Sequence, residues 1–141
     1  MFLDGCLEGD GYVTVFKKCY YIEKKSMNYA DATVNCQNHF GKLFEPRDSS
    51  TNDQVIETAK ITHSSSTWYS GELNFYIGIN DLATEGTFQY ATGGDLNYTN
   101  WSNGEPNNSG NEDCVQTRWD HGTKWNDNSC AEEHSSICEM I

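Results

Sequence analysis

The chain has 141 residues and a formal net charge of -12 at pH 7, from 21 acidic against 9 basic side chains. Its length suits one domain with a real core, spanning residues 1–141, and its charge argues against nucleic acid and anionic membrane surfaces as partners. No apolar run reaches the ~18 residues of a membrane span, and no secretory leader is read at Met1-Phe2-Leu3-Asp4-Gly5.

Residues 13–22, rich in Val, Phe and Tyr, read as a strand pair with Lys17-Lys18 near the turn. Ser26 is the expected N-cap of a first helix. After it Tyr29, Ala32, Thr33, Cys36 and Phe40 recur at helical spacing, and Gly41 stands as the stop signal. Leu43-Phe44 opens a short strand that Pro46 ends. A second helix is expected from Ser49 or Ser50, with Val55, Ile56, Ala59 and Ile61 on its apolar side, followed by an exposed loop at 63–67. Residues 73–79 form a strong strand pattern.

From Asn80 to Asn111 the composition turns to Gly, Asn, Asp, Ser and Thr, broken by Phe88, Tyr90, Tyr98 and Trp101. So long an irregular stretch is ordered only by a metal, disulfides or aromatic anchors, and the sequence offers all three. Closing strands are expected at 114–119 and 136–140, with a hairpin tip at 118–124.

Six cysteines with no Cys-x-x-Cys pair point to a disulfide framework and an oxidising, extracellular setting. Six cysteines allow about 15 pairings. Spacing suggests Cys6–Cys19 across an N-terminal hairpin, Cys114–Cys130 around a loop, and Cys36–Cys138 between helix and last strand. Within residues 104–127 stand Glu105, Asn107, Asn108, Glu112, Asp113, Asn126 and Asp127. All are hard oxygen donors of the kind Ca²⁺ gathers in shells of about six to eight. His39, His63, His121 and His134 are scattered with no zinc spacing, so zinc catalysis has little support, and no nucleophile elbow or phosphate loop is visible.

Tyr76-Ile77-Gly78-Ile79, Glu85-Gly86, Tyr98-Thr99-Asn100-Trp101, Glu105-Pro106-Asn107, Glu112-Asp113-Cys114, Trp125-Asn126-Asp127 and Ile137-Cys138-Glu139 occur in that order. Together with the cysteines around them they resemble the C-type lectin-like domain, in the long form with an N-terminal hairpin. The match covers nearly the whole chain. It implies an α+β fold: two helices, small antiparallel sheets and a long calcium-binding loop region.

The resemblance also implies a principal Ca²⁺ site made by Glu105, Asn107, Glu112, Asn126 and Asp127, with Pro106 in the cis form. An auxiliary Ca²⁺ would be held by Asp81, Glu85, Asn108 and Asp113, sharing Glu112, giving one or two ions per chain. Glu-Pro-Asn in this family goes with the equatorial 3- and 4-hydroxyls of mannose, N-acetylglucosamine, glucose or fucose. The alternatives are galactose-type specificity despite that motif, or a lectin-like domain that binds protein or ice. Trp119 and His121 are candidate sugar contacts, although strand packing and solvent exposure explain them at least as well. The implied partners are glycans on cell surfaces or glycoproteins. A single shallow site binds weakly, so a homodimer, a larger oligomer or a tether is expected to supply avidity.

Overall fold

The structure is a computed structural model and describes residue 6 and residues 11–64, 73–107 and 112–141. Strands β1 (Tyr12–Val15) and β2 (Lys18–Met27) form an antiparallel hairpin. Phe16 and Lys17 turn it, both at positive φ (49° and 67°), as a two-residue turn matched to strand twist requires.

Helix α1 spans Tyr29–Asn38, and its N-cap is Asn28, not Ser26: the Asn28 side chain accepts the Asp31 amide at 2.9 Å. Ser26 lies in β2, which continues past an irregularity until Met27 faces His134. The stop also differs from the expectation. Phe40, at φ 64°, takes the left-handed position after the helix and is exposed. Gly41 instead opens strand β3 (Gly41–Leu43), where a Cβ would lie 2.5 Å from the Glu139 carbonyl oxygen. Its role is close approach between strands, not a turn.

Helix α2 covers Ser49–Ser64 and so includes positions 63 and 64 of the expected loop; positions 65–67 lie outside the described residues. Val55, Ile56 and Ala59 are fully buried, whereas Ile61 is 68% exposed and does not join the apolar face.

The remaining strands are β4 (Phe75–Asn80), β5 (Gln89–Tyr90), β6 (Cys114–Thr117), β7 (Trp125–Asn128) and β8 (His134–Met140). The main sheet order is β1-β2-β8-β4-β6-β7, with β3 added to β8 and β5 to β4. Most pairings are antiparallel. The β4–β8 pair is parallel, through Phe75 with Ser135 and Tyr76 with Ser136, so the expected small antiparallel sheets are joined into one mixed sheet.

Strand β8 pairs with β2 on one side and β4 on the other, which brings the N-terminal hairpin beside the last strand. Val55, Ile56, Ile77, Ile79, Val115, Trp125 and Ile137 fill the main core. Tyr29, Ala32, Cys36, Leu43, Tyr76 and Cys138 pack a second cluster under α1.

Three disulfides, Cys6–Cys19, Cys36–Cys138 and Cys114–Cys130, use all six cysteines. The first closes the β1–β2 region, the second ties α1 to β8, and the third joins the start of β6 to the turn after β7.

Candidate functional site

The site is built on the β6–β7 hairpin and on the irregular segment that docks beside it. Across the hairpin Cys114 faces Asn128, Val115 faces Asp127, Gln116 faces Asn126 and Thr117 faces Trp125. Alternation along the strands sends Trp125 into the core while Asn126 shares a face with Gln116. Trp125 is fully buried, and its indole N–H donates to Asn52 Oδ1 at 2.9 Å. Trp101 and Tyr98 meet the Trp125 ring edge-on at 5.5 and 5.6 Å.

Backbone bonds lace the docked segment to β7. The Trp125 amide donates to the Asn100 carbonyl at 2.9 Å, and the Ser102 amide donates to the Trp125 carbonyl at 2.8 Å. The Glu105 amide then donates to Ser102 at 2.9 Å. Aromatic anchors and backbone pairing thus deliver Glu105 next to Asp127.

The Glu105–Pro106 bond is cis. The Asn107 amide donates to Asp127 Oδ1 at 3.1 Å and to Glu105 Oε1 at 3.2 Å, while its side-chain nitrogen donates to Glu105 Oε2 at 3.3 Å. Three of the sequence-predicted residues therefore touch one another. The Glu105 carboxyl is pushed up to about 7, first by loss of solvent and then by the carboxylate of Asp127, with a further contribution from Glu112. Asn126 is adjacent on β7; its Oδ1 is buried and has no hydrogen-bond partner among the described residues. Glu112 and Asp127 line one polar groove with Asn126.

A second cluster lies where β4 ends. Oxygens of Asp81, Glu85 and Asp113 come within 4.8 Å of one another. The Asp81 amide donates to the Asp113 carbonyl at 3.0 Å, and the Gly86 amide donates to Asp81 Oδ2 at 2.8 Å, which folds the loop around the carboxylates. Asp81 Oδ1 and Asp113 Oδ1 are buried with no hydrogen-bond partner among the described residues. The Asp113 carboxyl is pushed up to about 6, first by burial and then by Asp81 and Glu85. Asn108 lies outside the described residues.

Both clusters pass a test for a hard divalent cation. Each crowds carboxylates into mutual repulsion and leaves a buried oxygen unsatisfied, which is unfavourable unless a cation takes the lone pairs. The donors are oxygens alone, a set suited to Ca²⁺ and poor for zinc or copper.

Trp119 and His121 sit on the connection between β6 and β7. Trp119 is 44% exposed, and its amide donates to Asn74 Oδ1 at 3.2 Å. His121 Nδ1 lies 3.2 Å from Ser102 Oγ, and the ring lines a small depression with Asn103 and Lys124. Neither residue joins the carboxylate clusters through a described hydrogen bond.

Sequence reasoning missed two polar residues. Asn52 lies on the buried side of α2 and holds both Trp125 and, at 3.2 Å, the Thr123 carbonyl. Gln116 is buried on β6 beside Asn126, with no partner for Oε1 among the described residues. A helix Asn and an alternating strand Gln look solvent-facing in sequence, so neither carried a signal.

The lectin C-type domain family model matches residues 25–140. Collectin-10 of Gallus gallus is 39% identical over 127 residues, which are 89% of this chain and 42% of the collectin. The tetranectin-like protein of Carcharhinus perezii is 32% identical over 136 residues, 96% of this chain and 76% of that protein. Among solved structures, the cow C-type carbohydrate-recognition domain of CD23, studied in the presence of a GlcNAc2Man3 oligosaccharide, aligns with a TM-score of 0.79 and 29% identity. That alignment covers 99% of this chain and 98% of the CD23 domain.

The chain belongs to the C-type lectin domain family, a family of binding modules rather than enzymes. It spans less than half the length of the collectins it matches.

Proposed function

We propose that residues 1–141 form one extracellular, Ca²⁺-dependent carbohydrate-binding domain that selects mannose-type sugars. The observation that carries this is the contact of Glu105, Asn107 and Asp127 beside the unsatisfied Asn126 Oδ1. Glu105, Asn107, Glu112, Asn126 and Asp127 would hold the principal ion. Asp81, Glu85 and Asp113, with Asn108 and shared Glu112, would hold the auxiliary one. A bound Ca²⁺ supplies coordination positions that two vicinal sugar hydroxyls can fill.

The residues themselves read the sugar with what their ligand oxygens leave over. The Glu105 carboxylate keeps one oxygen to accept from a hydroxyl. The Asn107 and Asn126 amides keep N–H donors for the same hydroxyls' lone pairs. Glu-Pro-Asn favours equatorial 3- and 4-hydroxyls by family resemblance, and the mannose-containing oligosaccharide used with the CD23 domain supports that class. The auxiliary cluster would order the loop at 81–87 and leave sugar to the principal site. Trp119 and His121 remain proposed contacts for a larger glycan at the hairpin tip.

The disulfides support an oxidising, extracellular setting. A weak single site supports assembly into a homodimer, an oligomer or a larger host molecule for avidity on glycan-bearing surfaces. The test is chromatography on mannose-agarose and galactose-agarose. The proposal expects retention on mannose in calcium and release by chelator. Retention on galactose alone, or on neither matrix, would overturn the mannose reading.

A further inference from the structure

Three Asn-x-Ser/Thr tripeptides stand in the chain: Asn97-Tyr98-Thr99, Asn100-Trp101-Ser102 and Asn107-Asn108-Ser109. Such a tripeptide is an acceptor for an N-linked glycan on a surface loop of a secreted protein. Motifs this short also arise by chance, so the folded surroundings of each side-chain nitrogen decide between them.

Asn97 and Thr99 are both exposed, on a stretch outside any strand or helix. Between them Tyr98 turns the other way and packs its ring against Trp125 at 5.6 Å, which anchors the loop. The Tyr90 hydroxyl bonds Asn97 Oδ1 and lies 2.9 Å from the Pro46 carbonyl, so the oxygen edge of the planar Asn97 amide is turned to the protein. The opposite edge, Nδ2, faces solvent. An N-linked sugar replaces one hydrogen of that nitrogen and leaves Oδ1 and its bond to Tyr90 in place.

Asn100 is the contrary case. Its Nδ2 donates to the Thr123 carbonyl at 2.9 Å, and its own carbonyl accepts the Trp125 amide at 2.9 Å. The hydroxyl of its tripeptide belongs to Ser102, which is 8% exposed and lies against His121. A glycan on Asn100 would have to part the docked segment from the entrance of β7. At Asn107 the side-chain nitrogen donates to Glu105 Oε2 within the proposed calcium site, and Ser109 lies outside the described residues.

We propose that Asn97 is an N-glycosylation site. Its Nδ2 attacks the anomeric carbon of a lipid-diphosphate-linked oligosaccharide, brought by a transferase of the secretory pathway. The N–C1 bond forms, the bond from C1 to the diphosphate oxygen breaks, the lipid diphosphate leaves with the electron pair, and Nδ2 gives up one proton to a base of the transferase. Tyr90 and Pro46, beside which Asn97 sits, belong to neither carboxylate cluster, so the glycan leaves the proposed calcium site as it is. The inference rests on the extracellular reading that the disulfides support.

The test exports the chain from insect cells behind a secretion leader and digests it with peptide N-glycosidase in heavy-oxygen water. Mass spectrometry of the peptides is expected to find the heavy-oxygen label at position 97 and unmodified Asn at 100 and 107. Thr99→Ala destroys the tripeptide and leaves Asn97 and its bond to Tyr90. It loses the glycan while keeping the melting temperature and calcium affinity of the deglycosylated wild-type chain. Thr99→Ser restores the tripeptide and regains the glycan.

A secreted wild-type chain with its disulfides formed and no glycan overturns the inference. So does a glycan carried on Asn100 or Asn107 instead, or one that persists at position 97 in Thr99→Ala. A chain retained in the cells with reduced cysteines would instead remove the extracellular reading, and this inference with it.

Discussion

The Trp125 indole N–H donates to Asn52 Oδ1 at 2.9 Å, and both residues are fully buried, so α2 holds the strand that carries Asn126 and Asp127. Asn52 also donates to the Thr123 carbonyl at 3.2 Å, just ahead of β7. Asn52→Ala leaves a buried indole N–H unsatisfied and frees the strand entrance. The expected loss is about 2–4 kcal/mol of stability, with weaker calcium binding as β7 loosens. Denaturant unfolding in calcium and calorimetric titration check the two effects; normal stability would show that water replaces the side chain at no cost.

Glu105→Gln separates the two roles of that carboxylate. Removing one charge from the Glu105–Asp127 contact relieves repulsion, so the calcium-free protein melts at a higher temperature than wild type. The same change takes a charged ligand from the proposed ion, and calcium affinity falls at least about ten-fold, the scale of one lost charged contact. A variant less stable than wild type in chelator would contradict the repulsion.

Acid acts in opposite directions on the two forms. The folded pKa values of Glu105 (about 7) and Asp113 (about 6) lie above those of unfolded carboxylates, about 4. Their contribution to stability is therefore fully present below about 4 and is lost as pH rises through about 6 to 7. The calcium-free protein gains stability as pH falls from about 8 to 5 in this window. Calcium requires the ionised carboxylates, so its stabilising effect shrinks over the same range. Melting curves with and without chelator across that range check both signs, and a calcium-free melting temperature that falls on acidification would refute the first.

Asp81→Asn isolates the auxiliary cluster. It removes a carboxylate whose Oδ1 has no hydrogen-bond partner among the described residues while keeping an oxygen to accept the Gly86 amide. The expected result is one fewer tightly bound calcium ion per chain, with mannose affinity changed less than about three-fold at saturating calcium, well under the scale of one lost hydrogen bond to a charged group. Equilibrium dialysis reads the stoichiometry directly.

Much of the frame was legible because its signals are local and chemically singular. The cysteine spacing led to Cys6–Cys19, Cys36–Cys138 and Cys114–Cys130, and those three bonds are present. Elsewhere a tertiary contact overrode a local signal. Ser26 resembles a cap, but Met27 pairs with His134 and carries the strand past it to Asn28. Gly41 resembles a stop, but the approach of Glu139 claims it for β3 and leaves Phe40 to adopt the left-handed turn. Ile61 is apolar, but it sits about 200° round α2 from Ala59, so it turns away from the side that carries Val55 and Ile56 and stays exposed.

The oxygen donors proposed for the principal site stand out in sequence as residue types because Glu105, Asn107, Glu112, Asn126 and Asp127 fall within one short stretch. What holds them does not. Asn52 and Ser102 are ordinary polar residues in sequence, and their significance comes from hydrogen bonds to Trp125 and Glu105, which only the folded chain displays.

A glycan array probed with the same protein in calcium and in chelator tests the central claim most directly. Signals on terminal mannose, N-acetylglucosamine, glucose or fucose that appear in calcium and vanish in chelator are the predicted result. Binding that persists in chelator, or silence on every glycan in calcium, would contradict a sugar site built on Glu105, Asn107, Glu112, Asn126 and Asp127.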